Sequence, residues 1–315
     1  MNPLSALYGA AVRVRNELYD RGVLTGGRLK GPVVSIGNLT VGGSGKTPFL
    51  ILLGELLKQR GIDFDVLSRG YRRQTQGVAI VDPDGSALDF GDEPLLIARK
   101  LGVNVVVGED RRQAGELAEA TFGAQLHLLD DGFQHRRLGR DFDIVMVTST
   151  DAQDSLLPSG RLREPIPALA RADAIVLTNE TSADGLQVQK QRIWRVRRDI
   201  VPPERREPCF AFCGIARPEN FFAQLRAAHV VLAGTRSFRD HHRYGDKDVR
   251  ELQQLRARTG AQAFVTTEKD AVNLGPHLQP LQPIHVVPVR MTLEDADAAL
   301  DAMVATIAER RRHGA

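Results

Sequence analysis

Cysteine is almost missing: Cys209 and Cys213, in "CFAFC", are the only two in 315 residues. Two thiols with no histidine beside them cannot complete the usual four-ligand zinc site, so both are expected to be reduced, buried and structural. Aromatic residues amount to 5%, which leaves few platforms for base stacking. A net charge of +3 is too mild to bind nucleic acid by electrostatics alone. No stretch approaches the ~18 uninterrupted apolar residues of a membrane span, and the first residues lack the apolar core of a signal peptide. The chain is therefore expected to stay in the cytoplasm. No internal repeat, low-complexity tract or obligate protein partner is indicated.

What is present is an ordinary folded composition, long enough for two domains with separate cores. From Val33 to about Thr178 short β-branched runs ("VVSIG", "DFDVLS", "VNVVV", "QLHLLD", "FDIVMV", "AIVLT") alternate with helical patterns starting near Lys46, Glu93 and Asp110. This alternation predicts an α/β fold, a mainly parallel sheet with helices on both faces. "SLLPSGRLREPIPALARAD", rich in Pro and Arg, reads as an excursion before the last strand. After a connector around "IWRVRRDIVPPERREPC", strands "FAFCGI", "HVVLAG", "AFVTT" and "IHVVPV" form a second, smaller α/β lobe. The expected division is residues 1–185, 186–208 and 209–315, with the active site in the cleft between lobes and a C-terminal amphipathic helix free to pack on either.

In a parallel sheet, ligands bind at the loops after the strands. The first such loop, "TVGGSGKT", spans Thr40, Val41, Gly42, Gly43, Ser44, Gly45, Lys46 and Thr47 between a strand and a helix. It ends as a Walker loop does, in Gly-Lys-Thr, but begins with Thr40 where the pattern has Gly; Gly42 and Gly43 supply the flexibility instead. Backbone N–H groups at the helix start would cradle phosphates, Lys46 would reach the β- and γ-phosphates, and the Thr47 hydroxyl would ligate Mg²⁺. A Walker site also needs a carboxylate at a strand end, and "QLHLLDDG" offers Asp130 and Asp131. Spacing does not choose between them. Together these motifs predict phosphoryl transfer or nucleotide hydrolysis.

Two further loops carry reactive groups. "GDEP" sets Asp92 and Glu93 at a helix start, where Asp92 could serve simply as an N-cap. "FRDHHRYGDKD" gathers Arg239, Asp240, His241 and His242; adjacent histidines point in different directions and make a poor chelate. "TTEKD" ends another strand on what should be the same cleft. A guanine-nucleotide switch would carry Asn-Lys-x-Asp after a late strand; "VLTNET" has Asn179 but neither Lys nor Asp in register.

These motifs together ("SIGNLTVGGSGKTP", "SRGYRR", "GDEPLLIA", "LDDGFQHRRLGRDFDIV", "LPSGRLREP", "FCGIARPENF", "FRDHHRY", "TTEKDAV") resemble the tetraacyldisaccharide 4′-kinase family of the lipid A pathway. The likeness implies a P-loop NTPase-like fold, ATP and Mg²⁺ as cofactors, and phosphorylation of the 4′-hydroxyl of an acylated disaccharide 1-phosphate. It implies Asp92 as general base coupled to His241, with Glu93 assisting. Lys46 and Thr47 would serve ATP and Mg²⁺, Asp130 and Asp131 the metal network, and Arg69, Tyr71, Arg111, Gln134 and His135 would be active-site neighbours. An acylated acceptor also gives the first helix a role. Leu4, Leu7, Tyr8, Ala11, Val12, Leu18 and Tyr19 fall near one face, beside Arg13, Arg15 and Arg21. Such a helix is expected to lie on an anionic lipid surface, at the cytoplasmic face of the bacterial inner membrane. A soluble small-molecule kinase would lack this basic amphipathic start.

Overall fold

The computed structural model describes the chain except residues 1, 124–125, 179–180, 184–185, 187–189, 205–206 and 314–315. Asn179 and the expected boundary at 185 lie outside the described residues. Helix α1 (Pro3–Asp20) precedes the strands β1 (Val33–Asn38), β2 (Phe64–Ser68), β3 (Ala79–Ile80), β4 (Val105–Val107), β5 (Leu126–Asp130), β6 (Phe142–Val147), β7 (Ala174–Thr178) and β8 (Arg192–Ile200). Helices α2 (Lys46–Gln59), α3 (Ala87–Phe90), α4 (Asp92–Leu101) and α5 (Arg111–Phe122) connect them. The second block holds β9 (Cys209–Cys213), α6 (Pro218–Ala227), β10 (Leu232–Ser237), α7 (Asp246–Thr259), β11 (Ala263–Thr267), α8 (Glu268–Leu274) and β12 (Ile284–Val287), then β13 (Val289–Leu293) and α9 (Ala296–His313).

A nine-stranded sheet runs β13-β8-β7-β6-β1-β5-β2-β4-β3, parallel except where β3 and β13 pair at its two edges. β1 sits between β5 and β6 and is buried along its whole length. Both faces of a central parallel strand are covered, which is why its sequence is apolar without alternation. The smaller sheet, β10-β9-β11-β12, is wholly parallel. Cys209 and Cys213 lie buried at the two ends of its β9, unpaired, as free thiols.

Three features depart from the sequence expectations. Residues 192–200, inside the stretch read as a connector, form β8, which pairs with β7 and β13. Near the sheet edge its Arg residues alternate with Trp194 and Val196, so the apolar signature is diluted by half. "IHVVPV" splits at Pro288, which lacks an N–H: β12 stays in the small sheet and β13 returns to the large one. In "HVVLAG" the strand begins only at Leu232. The C-terminal helix chooses the first lobe, where Leu300, Met303 and Ile307 join the core of Phe49, Trp194 and Met291. Arg310 pairs with Asp173 and Arg311 with Asp141.

α1 divides its apolar residues between two faces. Ser5, Gly9 and Val12 are buried against the 155–173 excursion: Ser5 Oγ donates to Leu156 O at 3.0 Å, Tyr8 Oη to Arg163 O at 3.0 Å, and Asn16 to the buried Glu164 at 2.6 Å. Leu4, Leu7 and Val14 remain 62%, 69% and 56% exposed. Among the described residues no helix is long and apolar enough to cross a membrane.

Candidate active site

The loop after β1 is shaped by two glycines in the left-handed region, Gly42 (φ 95°) and Gly45 (φ 87°), the latter capping α2. Gly45 brings no side chain to cap the first N–H groups of α2, which leaves them for an anion. Thr40 is not a defective glycine position. It is extended, bridged to Leu162 of the excursion, with its hydroxyl accepting from Asn38 at 3.2 Å, while Val41 N donates to Arg161 O at 2.8 Å. Lys46 Nζ donates to Asn38 Oδ1 at 2.9 Å and stands 3.5 Å from Asp131. Thr47 and Ser44 are nearly buried, and no hydrogen-bond partner for Ser44 Oγ is found among the described residues. From the second lobe, Ala216 lies over Gly42 and Gly43, so a Cβ at Gly43 would stand 3.5 Å from that of Ala216.

The acidic pair after β5 divides its labour. Asp131 (φ 49°) is gripped by Arg163, whose two terminal nitrogens meet its two oxygens at 2.8 and 2.7 Å. Burial would raise its pKa, but Lys46, Arg163 and Arg111 hold it well below the usual carboxylate range. Asp130 accepts from Ser68 Oγ at 2.9 Å through Oδ2, leaving Oδ1 buried without a partner among the described residues. Burial, with Glu93 and Asp131 nearby, pushes its pKa up to about 7. A buried carboxylate with a spare oxygen and an unsatisfied charge suits a cation. Mg²⁺ commonly keeps water and phosphate oxygens for most of its shell and needs few protein donors. Thr47 and Asp130 are the donors that fit it.

Around this pair stand the other expected neighbours. Arg111 is 7% exposed, its pKa lowered by burial and by Arg69. Gln134 Nε2 donates to Asn38 O at 3.0 Å. His135 is pushed down to about 4 by burial and then by Arg111, so it is neutral at pH 7. Tyr71 is half-exposed and presents its ring edge-on to His241, centroids 5.2 Å apart.

On the same lobe, Asp92 is the first residue of α4; the cap expected of it is supplied by Gly91 at φ 91°. This frees the carboxylate. It accepts from His241 Nδ1 at 2.8 Å (Oδ2) and 3.0 Å (Oδ1), from Asn273 Nδ2 at 2.9 Å and from Glu93 N at 2.9 Å. Burial opposes its ionisation, but the His241 hydrogen bond, the Lys269 charge and Asn273 outweigh burial and hold its pKa at about 2. His241 is itself at φ 56°, a backbone strain that its N–H to Gly214 O (3.1 Å) and Arg72 donating to the Asp240 and His241 carbonyls sustain. His242 points away, stacked on Phe238 at 4.6 Å and 3.2 Å from Asp248. A cavity of about 680 Å³ opens beside the dyad, lined by Tyr71, Arg72, Asp92, His241, Asn273 and His277 among others.

A family model described as tetraacyldisaccharide-1-P 4′-kinase (LpxK) matches residues 1–308. The chain belongs to the tetraacyldisaccharide 4′-kinase family. It is 52% identical to the Koribacter versatilis tetraacyldisaccharide 4′-kinase over 99% of this chain and 100% of that one. With the Geobacter metallireducens enzyme of the same name it shares 40% identity over 93% of both. The crystal structure of the "apo" form of LpxK from Aquifex aeolicus in complex with ATP superimposes with a TM-score of 0.79, at 33% identity and 97% coverage of each chain. The activity is that of the family: ATP-dependent phosphorylation of the lipid A disaccharide precursor at its 4′ position, with Mg²⁺.

Within this kinase fold Lys46 and Thr47 follow β1, Asp130 and Asp131 end and follow β5, and Asp92 meets His241 of the second lobe. Several contributors were not anticipated. Lys269 joins Glu93 at 3.2 Å and His241 Nε2 at 3.0 Å, and Asn273, one turn later on α8, reaches Asp92. "TTEKD" had marked that loop without assigning a role. Arg163 and Asn38, which contact Asp131 and Lys46, lie inside the stretches "LPSGRLREP" and "SIGNLTVGGSGKTP" but had been given no role.

Proposed function

We propose that Asp92 accepts the proton of the 4′-hydroxyl while His241 orients the carboxylate from the opposite lobe. The observation that carries this reading is the 2.8 Å contact between Asp92 and His241 Nδ1, made between residues 149 positions apart. Phosphoryl transfer asks mainly for positioning and for charge set in advance. As the acceptor oxygen bonds to the γ-phosphorus, its proton passes to Asp92, and the bond from that phosphorus to the β-bridging oxygen breaks to release ADP. Lys46, steadied by Asn38, and the N–H groups of residues 42–47 take up the negative charge of the phosphates. Mg²⁺, held by Thr47 and Asp130, would neutralise the β- and γ-oxygens; Asp131 acts through Lys46 and Arg163. Glu93 acts by holding Lys269.

A carboxylate held at about 2 is a weak base on equilibrium grounds. It need only receive a proton that becomes acidic late in transfer, and its low value keeps it ionised throughout the working pH range. The test is a double-mutant cycle on kcat with Asp92→Asn, His241→Gln and the pair. A coupled dyad predicts that the double variant loses little more than the worse single variant. Multiplying losses would refute coupling.

The exposed stripe of Leu4, Leu7, Ala11 and Val14, with Arg13 beside it, supports a second part of the proposal: α1 rests on anionic lipid at the cytoplasmic face of the inner membrane. Leu4, Leu7 and Val14 changed together to Ser should abolish sedimentation with anionic vesicles and leave the melting temperature unchanged, because the docking residues Ser5, Gly9 and Val12 are untouched. Retained sedimentation would remove α1 as the anchor.

A further inference from the structure

Lys269 lies on α8, in the second lobe, and its ammonium meets the ring nitrogen of His241 that faces away from Asp92, Nε2, at 3.0 Å. An ammonium has three donors and no acceptor, so the nitrogen it meets must accept. The only proton of a neutral imidazole then sits on Nδ1, where it donates to Asp92. Lys269 is well secured as a cation. Glu93 lies 3.2 Å away, Asp240 3.6 Å and Asp92 3.9 Å, and these carboxylates raise its pKa against the effect of burial.

We propose that Lys269 is a positioning residue that locks His241 as the neutral Nδ1–H tautomer and thereby keeps Asp92 hydrogen-bonded to an imidazole rather than to an imidazolium. The proposal rests on the reading of Asp92 as the base. Every charged group around the ring bears on it. Asp92 on α4 and Asp240, 3.9 Å from Nε2, both favour a protonated ring. Tyr71 offers only its ring, Arg72 donates to backbone carbonyls, and Glu93 reaches the imidazole only through Lys269. Lys269 is thus the group that opposes two carboxylates. Without it Nε2 is open to a proton, the ring becomes a cation, and a cationic donor makes Asp92 a poorer acceptor for the hydroxyl proton.

The effect on rate is therefore specific in pH. In Lys269→Met, where Nε2 is free to take a proton as the pH falls, the turnover deficit should be about tenfold larger at about pH 6 than at about pH 8. Lys269→Arg, whose guanidinium also can only donate, should restore the wild-type profile. A deficit in Lys269→Met that is the same at every pH, shared by Lys269→Arg, would overturn the proposal and leave Lys269 a structural ion-pair residue. A measurement on the unaltered enzyme guards against a misfolded variant. Nitrogen-15 histidine spectra, with the His241 signal identified by its loss in His241→Gln, should show Nδ1 protonated and Nε2 bare from about pH 6 to 8. An imidazolium or an Nε2–H tautomer there overturns it. If instead Asp92→Asn keeps full turnover, the base assignment fails while the tautomer result still stands.

Discussion

Replacing Arg163 by Met removes the two-pronged grip on Asp131 and keeps the length of the side chain. The lost contacts are N–H···O bonds of 2.8 and 2.7 Å to the carboxylate, one of 3.2 Å to Asn38 O and one to Asn38 Oδ1. Charge-assisted bonds contribute ~1.5–3 kcal/mol each when shielded from water. Asp131 is 37% exposed and Arg163 20%, so water recovers part of that, and a net destabilisation of about 2–3 kcal/mol is expected. The chemical effect should be larger. Freed from Arg163, the Asp131 carboxylate has Lys46 as its nearest cation, and closing the present 3.5 Å gap draws that ammonium off the phosphates. A displacement on the order of 1 Å in such a group costs ~10²-fold in rate. Urea unfolding without nucleotide and kcat at saturating ATP measure the two parts separately. Arg163→Lys, which keeps the charge but not the fork, should fall between wild type and Met in both. If Arg163→Met unfolds at the wild-type midpoint and turns over at the wild-type rate, the grip on Asp131 has no part in holding the site.

Two further perturbations follow from close packing and from burial. A methyl added at Gly37 would stand 2.5 Å from Phe133 Cβ and 2.9 Å from Phe133 N; Gly37→Ala should cost ~1–3 kcal/mol in urea unfolding, and a neutral effect would mean that Phe133 does not approach β1 so closely. His127 is buried between Asp65 (2.7 Å) and Glu119 (3.4 Å). Burial lowers its pKa, but the two carboxylates prevail and raise it. Its contribution is then complete below the unfolded value of ~6.5 and fades as pH rises through the elevated folded value. The wild type's advantage in urea midpoint over His127→Asn should therefore narrow as the pH rises above ~6.5, and a constant gap would contradict this.

The donor half of the site was legible in sequence because it is local: one strand, one glycine loop and one helix start supply it within residues 33–50, and the strand-end Asp pair follows from the same rule. The acceptor half was legible only through family likeness. Nothing in the spacing of Asp92 and His241 brings them together; the crossing of the chain from β8 to β9 and back at β13 does. That route was itself hidden, since β8 lies next to the edge strand, where arginines are tolerated and no apolar run is needed. Lys269 escaped notice for a similar reason. A lysine on a short helix is unremarkable until the fold sets it beside His241 of its own lobe and Asp92 and Glu93 of the opposing one. Arg163 lies in a stretch of Pro and Arg with no periodicity to indicate which way any side chain points.

That Pro- and Arg-rich excursion has a consequence for how the N-terminal helix is understood. On one edge it receives the hydroxyls of Ser5 and Tyr8, and on the other it extends the phosphate loop through Arg161 and Leu162 and grips Asp131 through Arg163. The excursion lies between α1 and the glycine loop after β1, touching both. One line of contacts from the first helix to Asp131 runs through the carbonyl and the guanidinium of Arg163, and others run through Leu156 and Glu164. Removing the helix would take away the partners of Leu156, Arg163 and Glu164 in the excursion that also holds Val41 and Asp131, so its expected effects are not confined to the helix itself.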